Sequence, residues 1–212
     1  MRNGRAEAIA AAGSASRDEL AATHEAREIT LPASRAAIRA CALAIRAVQR
    51  REFDVARAHI DDAAMLLARA DAATAGHGVV RHAGFLQDAH KEFAEANITL
   101  AFVEGSPLPT AAELGVDAPA YLNGLAEAAS ELRRQVLDLL RVGDADRAED
   151  LFAVMDEVYA VLVTVDYPDA VTGGLRRTTD ALRGVLERTR GDVTNATVVA
   201  RLQAAVEQTR RS

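Results

Sequence analysis

Helix breakers are confined to a few places in this chain, and helix formers fill the rest. Alanine is abundant throughout, β-branched residues come in short runs, and the five prolines stand at 32, 107, 109, 119 and 168. Alanine loses no side-chain entropy in a helix, whereas proline removes a backbone N–H and clashes with the preceding turn. No stretch alternates apolar and polar residues as a half-buried strand does. The pattern predicts an all-α single domain, and 212 residues are enough for a core that folds unaided.

Residues 1–15 are Ala/Gly-rich without firm periodicity and are expected to be a flexible, frayed extension, with residues 16–212 forming the all-α domain. A helical pattern runs from Ser16 to about Arg51, with Pro32 as an expected kink or break. Phe53 to about Ala73 reads as a second helix and Val80 to Glu104 as a third. The segment from Gly105 to Pro109 is the clearest break. Further helices are expected from Pro119 to about Val142, then to about Thr164. Beyond Pro168 one runs to Arg190 and another from Asp192 to Arg211, for about seven in all.

Composition excludes several classes. Half the residues are hydrophobic and 26% charged, which rules out global disorder. No apolar run approaches the roughly 18–20 residues of a membrane span, so no membrane partner is expected. The N-terminus lacks a secretory layout, so a cytoplasmic location is expected. Cys41 is the single cysteine, which excludes an internal disulfide or a cysteine-cluster metal site. The net charge of −6 argues against a phosphate-rich partner until it is read by position.

Between Ile29 and Arg51 there are five arginines, Arg35, Arg39, Arg46, Arg50 and Arg51, and no acid. Spacings of 4, 7 and 4 put the first four on one helical face. A line of positive charge attracts a phosphate backbone through Coulomb forces and counterion release. The alternatives are a solvated face or pairing with acids on a neighbouring helix. Each exposed pair would contribute only about 0–1 kcal/mol, so stability gives little reason to gather arginines here. Aromatic residues make up 4% of the chain, too few for a base-stacking platform, so contact would be with the backbone.

From Phe93 to Val103 only Glu95 is charged, and apolar side chains fall on nearly every side, as in a central helix. Glu92 and Glu95, spaced i, i+3, can point into one volume. Buried carboxylates so placed need a cation, protonation or arginine partners. An oxygen-ligated Mg²⁺ or Mn²⁺ is one solution, and a structural Arg–Glu network is the other. Glu127 and Glu131, at i, i+4, fall opposite the stripe of Leu122, Leu125, Ala129, Leu132 and Val136, so periodicity makes them solvent-facing. The five histidines lack metal-ligand spacing, and there is no phosphate-binding glycine loop or nucleophile elbow. Lys91 is the only lysine against 24 arginines; genome base composition is the plain reading, and although arginine suits bidentate phosphate contacts better than lysine, a chain-wide bias cannot be credited to one site.

Several segments, in order, resemble the translin/TRAX family, most closely its archaeal members, over roughly Arg17 to Val193. They are Ser34-Arg35-x-x-Ile38-Arg39 with Arg50-x-Glu52-Phe53, then Lys91-Glu92-Phe93-Ala94-Glu95-Ala96. Tyr121-Leu122-x-Gly124-Leu125 with Glu131-Leu132-x-Arg134 follows, and then Asp166-Tyr167-Pro168-x-Ala170-Val171 with Leu175-Arg176-Arg177-x-Thr179-Asp180 and Arg190-Gly191-Asp192. The resemblance implies a translin-like bundle of seven helices. It also implies assembly into a hollow homo-oligomer, typically an octamer, that encloses RNA against a basic inner surface.

The TRAX branch is a metal-dependent endoribonuclease, whereas translin lacks the full acidic set. In the catalytic branch the Glu-x-x-Glu-Ala pattern matches Glu92 and Glu95, and a second acidic pair matches Glu127 and Glu131. Glu127 stands where that branch usually has aspartate. By this resemblance the four glutamates are expected to hold Mg²⁺ or Mn²⁺ and carry catalysis, and Arg35, Arg39, Arg46 and Arg50 to hold the backbone. Arg81 lies near the basic segment that translin uses for nucleic acid. The expected activity is cleavage of single-stranded RNA. The alternative is a non-catalytic oligomer binding single-stranded RNA or DNA, as translin does.

Overall fold

The computed structural model describes residues 2–211, and among them every regular element is helical. Six helices are long: α1 (Arg2–Gln49), α2 (Phe53–Ala73), α4 (Gly84–Glu104), α6 (Ala118–Arg141), α7 (Ala145–Leu162) and α9 (Leu175–Arg211). Three are single turns: α3 (Gly78–Arg81), α5 (Ala111–Leu114) and α8 (Asp169–Thr172). None is long and apolar enough to cross a membrane.

Three expected boundaries move. Pro32 does not break α1. A proline costs a helix interior about 3 kcal/mol, but α1 packs along α2 and α4 on the C-terminal side, with Ala26, Thr30, Ala33, Ser34 and Ala37 buried around the proline. Local bonds help to hold the turn. The Thr30 hydroxyl donates to the Ala26 carbonyl at 2.7 Å, and the Ser34 hydroxyl to that of Thr30 at 2.9 Å. The expected interruption at Gly191 is also absent. There Arg133 of α6 donates to Thr189 at 2.9 Å and to Asp192 at 2.7 Å, clamping α9 on both sides of the glycine. Conversely, the expected helix Val80–Glu104 is split at His82–Ala83 into α3 and α4, with the Gln87 amide donating to the Arg81 carbonyl at 3.2 Å. Residues 2–15 continue α1 as helix, and every residue from Gly4 to Ala22 is exposed.

Helix α4 lies at the centre, against α1 and α2 on one side and α6 on the other; α6 in turn carries α7 and α9. The residues that read as apolar all round are those packed on several sides: Phe93, Ala94, Ala96, Ile98 and Val103 are buried. The break after α4 is made by Gly105 at φ 79°, a left-handed cap that favours glycine. The α4–α6 crossing is close for a structural reason. A Cβ on Gly124 would stand 2.8 Å from the Lys91 carbonyl oxygen and 2.9 Å from both the Ala94 Cβ and the Glu95 nitrogen. Only a residue without a side chain lets these two backbones meet.

Candidate functional site

That close crossing carries the acids. Glu92 and Glu95 project from α4 and Glu127 from α6, each with a carboxylate oxygen within 4.8 Å of the others. Glu95 is 7% exposed, and Glu92 and Glu127 are half-buried. Glu131 lies one turn further along α6, outside this group of three. It accepts a 2.6 Å hydrogen bond from the Gln49 amide of α1. Periodicity places Glu127 and Glu131 toward solvent, but both are half-buried, because α6 is covered by α4 on one flank and by α7 and α9 on others.

Lys91 neutralises part of this charge. Its ammonium donates to Glu127 at 2.7 Å and stands 3.1 Å from Glu92. Burial pushes Lys91 down, but Glu127 and Glu92 outweigh burial and hold it above its ordinary value, so it is charged. Glu95 has no such partner. Burial, followed by the Glu92 and Glu127 charges, a hydrogen bond with Glu127 and the Glu131 charge, pushes it up to about 9. In the metal-free fold the Glu95 carboxyl therefore keeps its proton at neutral pH. Cys41 approaches from α1, and burial and the same two α4 glutamates push its thiol up to about 12. It is therefore neither a thiolate nucleophile nor a ready ligand.

The raised carboxyl has a consequence for stability. Between its unfolded value of 4.5 and about 9, the unfolded chain has lost the Glu95 proton and the folded chain retains it. The unfolded state binds fewer protons, so metal-free stability falls as pH rises across that window. Thermal melting in a chelating buffer should show a decline from pH 5 to pH 9 that Glu95→Gln flattens. An unchanged slope in the variant would assign the decline to other groups.

The arginines are divided. Arg35, Arg39 and Arg46 are exposed along one face of α1, with no ion pair among the described residues. Arg50 is already held by Glu52 at 2.7 Å, an acid just beyond the acid-free window. Arg81 sits apart on α3, 3.5 Å from an Asp71 oxygen whose partner oxygen lies 3.2 Å from the His90 ring. The C-terminal end of the arginine line does reach the acids. Gln49, adjacent to Arg50 and one turn from Arg46, bonds Glu131, and its carbonyl accepts from Gln135 of α6 at 3.3 Å. Two openings flank the site. A cleft of about 720 Å³ is lined by Lys91, Glu127, Asn123 and Arg177, and a shallower hollow by Gln49, Glu131 and Arg134.

The fold matches solved proteins over most of its length. It superposes on AfC3PO, solved in complex with duplex RNA, with a TM-score of 0.81 and 29% identity, covering 88% of this chain and 96% of that one. A second AfC3PO crystal structure gives a TM-score of 0.80 at 29% identity, covering 88% of this chain and 97% of that one. The chain has a translin-like fold. At 17% identity, apo-NeC3PO shares the fold, with a TM-score of 0.77 over 86% of this chain and 96% of its own. The uncharacterized protein MJ0175 of Methanocaldococcus jannaschii is 34% identical over 111 residues, or 52% of this chain; the match spans about half the length of that relative. No protein-family model matches.

Sequence reasoning passes over three residues of this site: Lys91, Gly124 and Gln49. For Lys91 a signal exists, since the only lysine of an arginine-rich chain immediately precedes Glu92. Gly124 and Gln49 act across elements distant in sequence, and periodicity carries no mark of either contact.

Proposed function

We propose that this translin-like chain is an RNA-binding, metal-dependent endoribonuclease acting on single-stranded RNA or single-stranded regions, as a hollow homo-oligomer with the arginine face turned inward. The observation that carries the proposal is the convergence of three carboxylates from two core helices, and the exposed, unpaired Arg35, Arg39 and Arg46 on α1, which packs on α4, support RNA as the substrate. A donor set made only of carboxylate oxygens suits Mg²⁺ or Mn²⁺. Glu95, retaining a proton against two neighbouring acids, marks where a cation would relieve the repulsion. Glu92, Glu95 and Glu127 would hold the ion. When bound, it would activate water and stabilise charge on the scissile phosphate.

The chain's own residues do the rest. Arg35, Arg39 and Arg46 meet backbone phosphates without reading sequence. Glu131, held by Gln49 one turn along α6 from Glu127, would orient water or complete the ligand set. That AfC3PO was solved with duplex RNA supports RNA as the partner. The test is cleavage of a labelled single-stranded RNA with Mg²⁺ or Mn²⁺, expected in wild type and lost in Glu92→Ala and Glu95→Ala. Unchanged cleavage in both variants would remove the site.

Binding should depend on the arginine line separately. Arg39→Glu combined with Arg46→Glu is expected to weaken RNA binding at least tenfold at about 0.1 M salt and to flatten its salt dependence. Filter binding across a salt series measures both, and retained affinity would exclude this face. A particle near 22.5 kDa by light scattering would exclude an enclosed RNA.

The second reading is a non-catalytic oligomer binding single-stranded RNA or DNA. The Lys91 ammonium on two of the carboxylates favours it, since a resident cation can stabilise the cluster without a metal. It expects salt-sensitive binding with no metal-dependent cleavage.

A further inference from the structure

The acidic cluster is already occupied by a cation, and that cation belongs to the chain. Lys91 Nζ is 2.7 Å from Glu127 and 3.1 Å from Glu92, two of the three acids whose oxygens converge. A divalent ion shared by these oxygens would stand within a few ångströms of the ammonium. At that range like charges repel strongly, so the ammonium and the ion compete for the same oxygens. The side chain has somewhere to go. Lys91 and Glu127 line the 720 Å³ cleft, and the same cleft carries the carboxylates of Asp88 and Asp117 and the amide of Gln87. Asp88 and Asp117 are exposed, and neither is engaged in an ion pair among the described residues. Lysine's four-carbon stem lets its ammonium swing from one set of acceptors to the other.

We propose that Lys91 is a built-in competitor for the divalent cation. Its ammonium holds Glu92 and Glu127 together in the metal-free chain, and an ion enters only by displacing it into the adjoining cleft. This inference rests on the metal-site reading above. Its consequence is a raised threshold for loading: the chain stays stable and ordered without metal, and fills only when the free ion concentration exceeds what the lysine sets. Binding that must displace a competing group is weakened by the free energy of that group's own contacts.

The test is calorimetric titration of the purified full chain with Mn²⁺, supported by the electron paramagnetic resonance signal of bound Mn²⁺. Lys91→Met, similar in length and without charge, is expected to bind Mn²⁺ at least about tenfold more tightly than wild type. Its metal-free form should melt earlier, because two carboxylates lose their counter-ion. Lys91→Gln should follow it, and Lys91→Arg should bind no more tightly than wild type. A purely structural lysine would give earlier melting without tighter Mn²⁺ binding, so equal or weaker affinity in both neutral variants would overturn the proposal. If Glu95→Ala leaves Mn²⁺ affinity unchanged in the wild-type and Lys91→Met backgrounds alike, the metal site itself is wrong and the inference falls with it.

Discussion

Replacing Glu95 by glutamine is expected to abolish metal-dependent RNA cleavage, by at least about a hundredfold, in a chain more stable than wild type. The two effects have one origin. Glu95 is nearly fully buried between Glu92 and Glu127, and in the metal-free fold its carboxyl is pushed up to about 9. Holding a proton at pH 7 that the unfolded chain, with its carboxyl near 4.5, would have lost costs the fold about 3–4 kcal/mol. Glutamine is neutral at every pH, fits the same volume, and can donate its amide N–H to Glu127. It therefore removes the cost while removing the anion that a metal requires. Loss of a preorganised charge at a reacting phosphate typically lowers rates by about 10²–10³. Single-turnover cleavage at saturating Mn²⁺, with urea unfolding at pH 7.5, measures both quantities. Cleavage at the wild-type rate would exclude Glu95 as a ligand, and a destabilised variant would contradict its protonation.

Gly124→Ala is expected to destabilise the chain by about 3 kcal/mol and to weaken metal binding at the same time. In most helices this exchange stabilises by up to about 1 kcal/mol, because glycine loses more backbone entropy. Here the added methyl would stand under 3.0 Å from the Lys91 oxygen, the Ala94 Cβ and the Glu95 nitrogen. Two of those atoms are backbone and cannot rotate away, so the cost falls at the upper end of the range for overpacked cores. Relief requires α4 to move off α6. That separates Glu92 and Glu95 from Glu127, since the acids are divided between the same two helices. Gly191→Ala, in α9 with no atom within 4 Å of the added Cβ, is the control and should be neutral or slightly stabilising. Urea unfolding and Mn²⁺ titration distinguish the two. A neutral Gly124→Ala would mean that the crossing is looser than the backbone positions indicate.

Much of the fold is legible because most of its information is local. The helical character, the central position of the segment around Phe93–Val103 and the break at Gly105 all follow from residue type and spacing. The missing breaks at Pro32 and Gly191 share one cause. Each is a local breaker carried through as continuous helix by contacts from another helix, α2 in the first case and Arg133 in the second, and a one-dimensional pattern contains neither. The site is legible in part. The spacing of Glu92 and Glu95 predicts their meeting. The partnership of α4 with Glu127 is not visible in periodicity, which places Glu127 opposite the apolar stripe. Helix α6 is packed on more than one flank, and a single stripe underestimates such a helix. Only the family resemblance links the two helices before the structure is seen. The spacing of Arg35, Arg39 and Arg46 anticipates their shared exposed face, whereas the diversion of Arg50 to Glu52 and of Arg81 to Asp71 depends on neighbours.

The acids rise from the middle of two long helices where those helices touch, not from a loop. Loops open and close at little free-energy cost, but the centre of a helix crossing exchanges its amides only when the whole domain opens. The carboxylate geometry therefore has no partial state of its own. Amides of Ala94, Glu95 and Ala126 should be among the last to exchange with deuterated solvent, and loss of the site should coincide with global unfolding rather than precede it. Substitutions in the connecting turns would then leave the chemistry intact, and tuning would have to come through side chains at the crossing, such as Lys91.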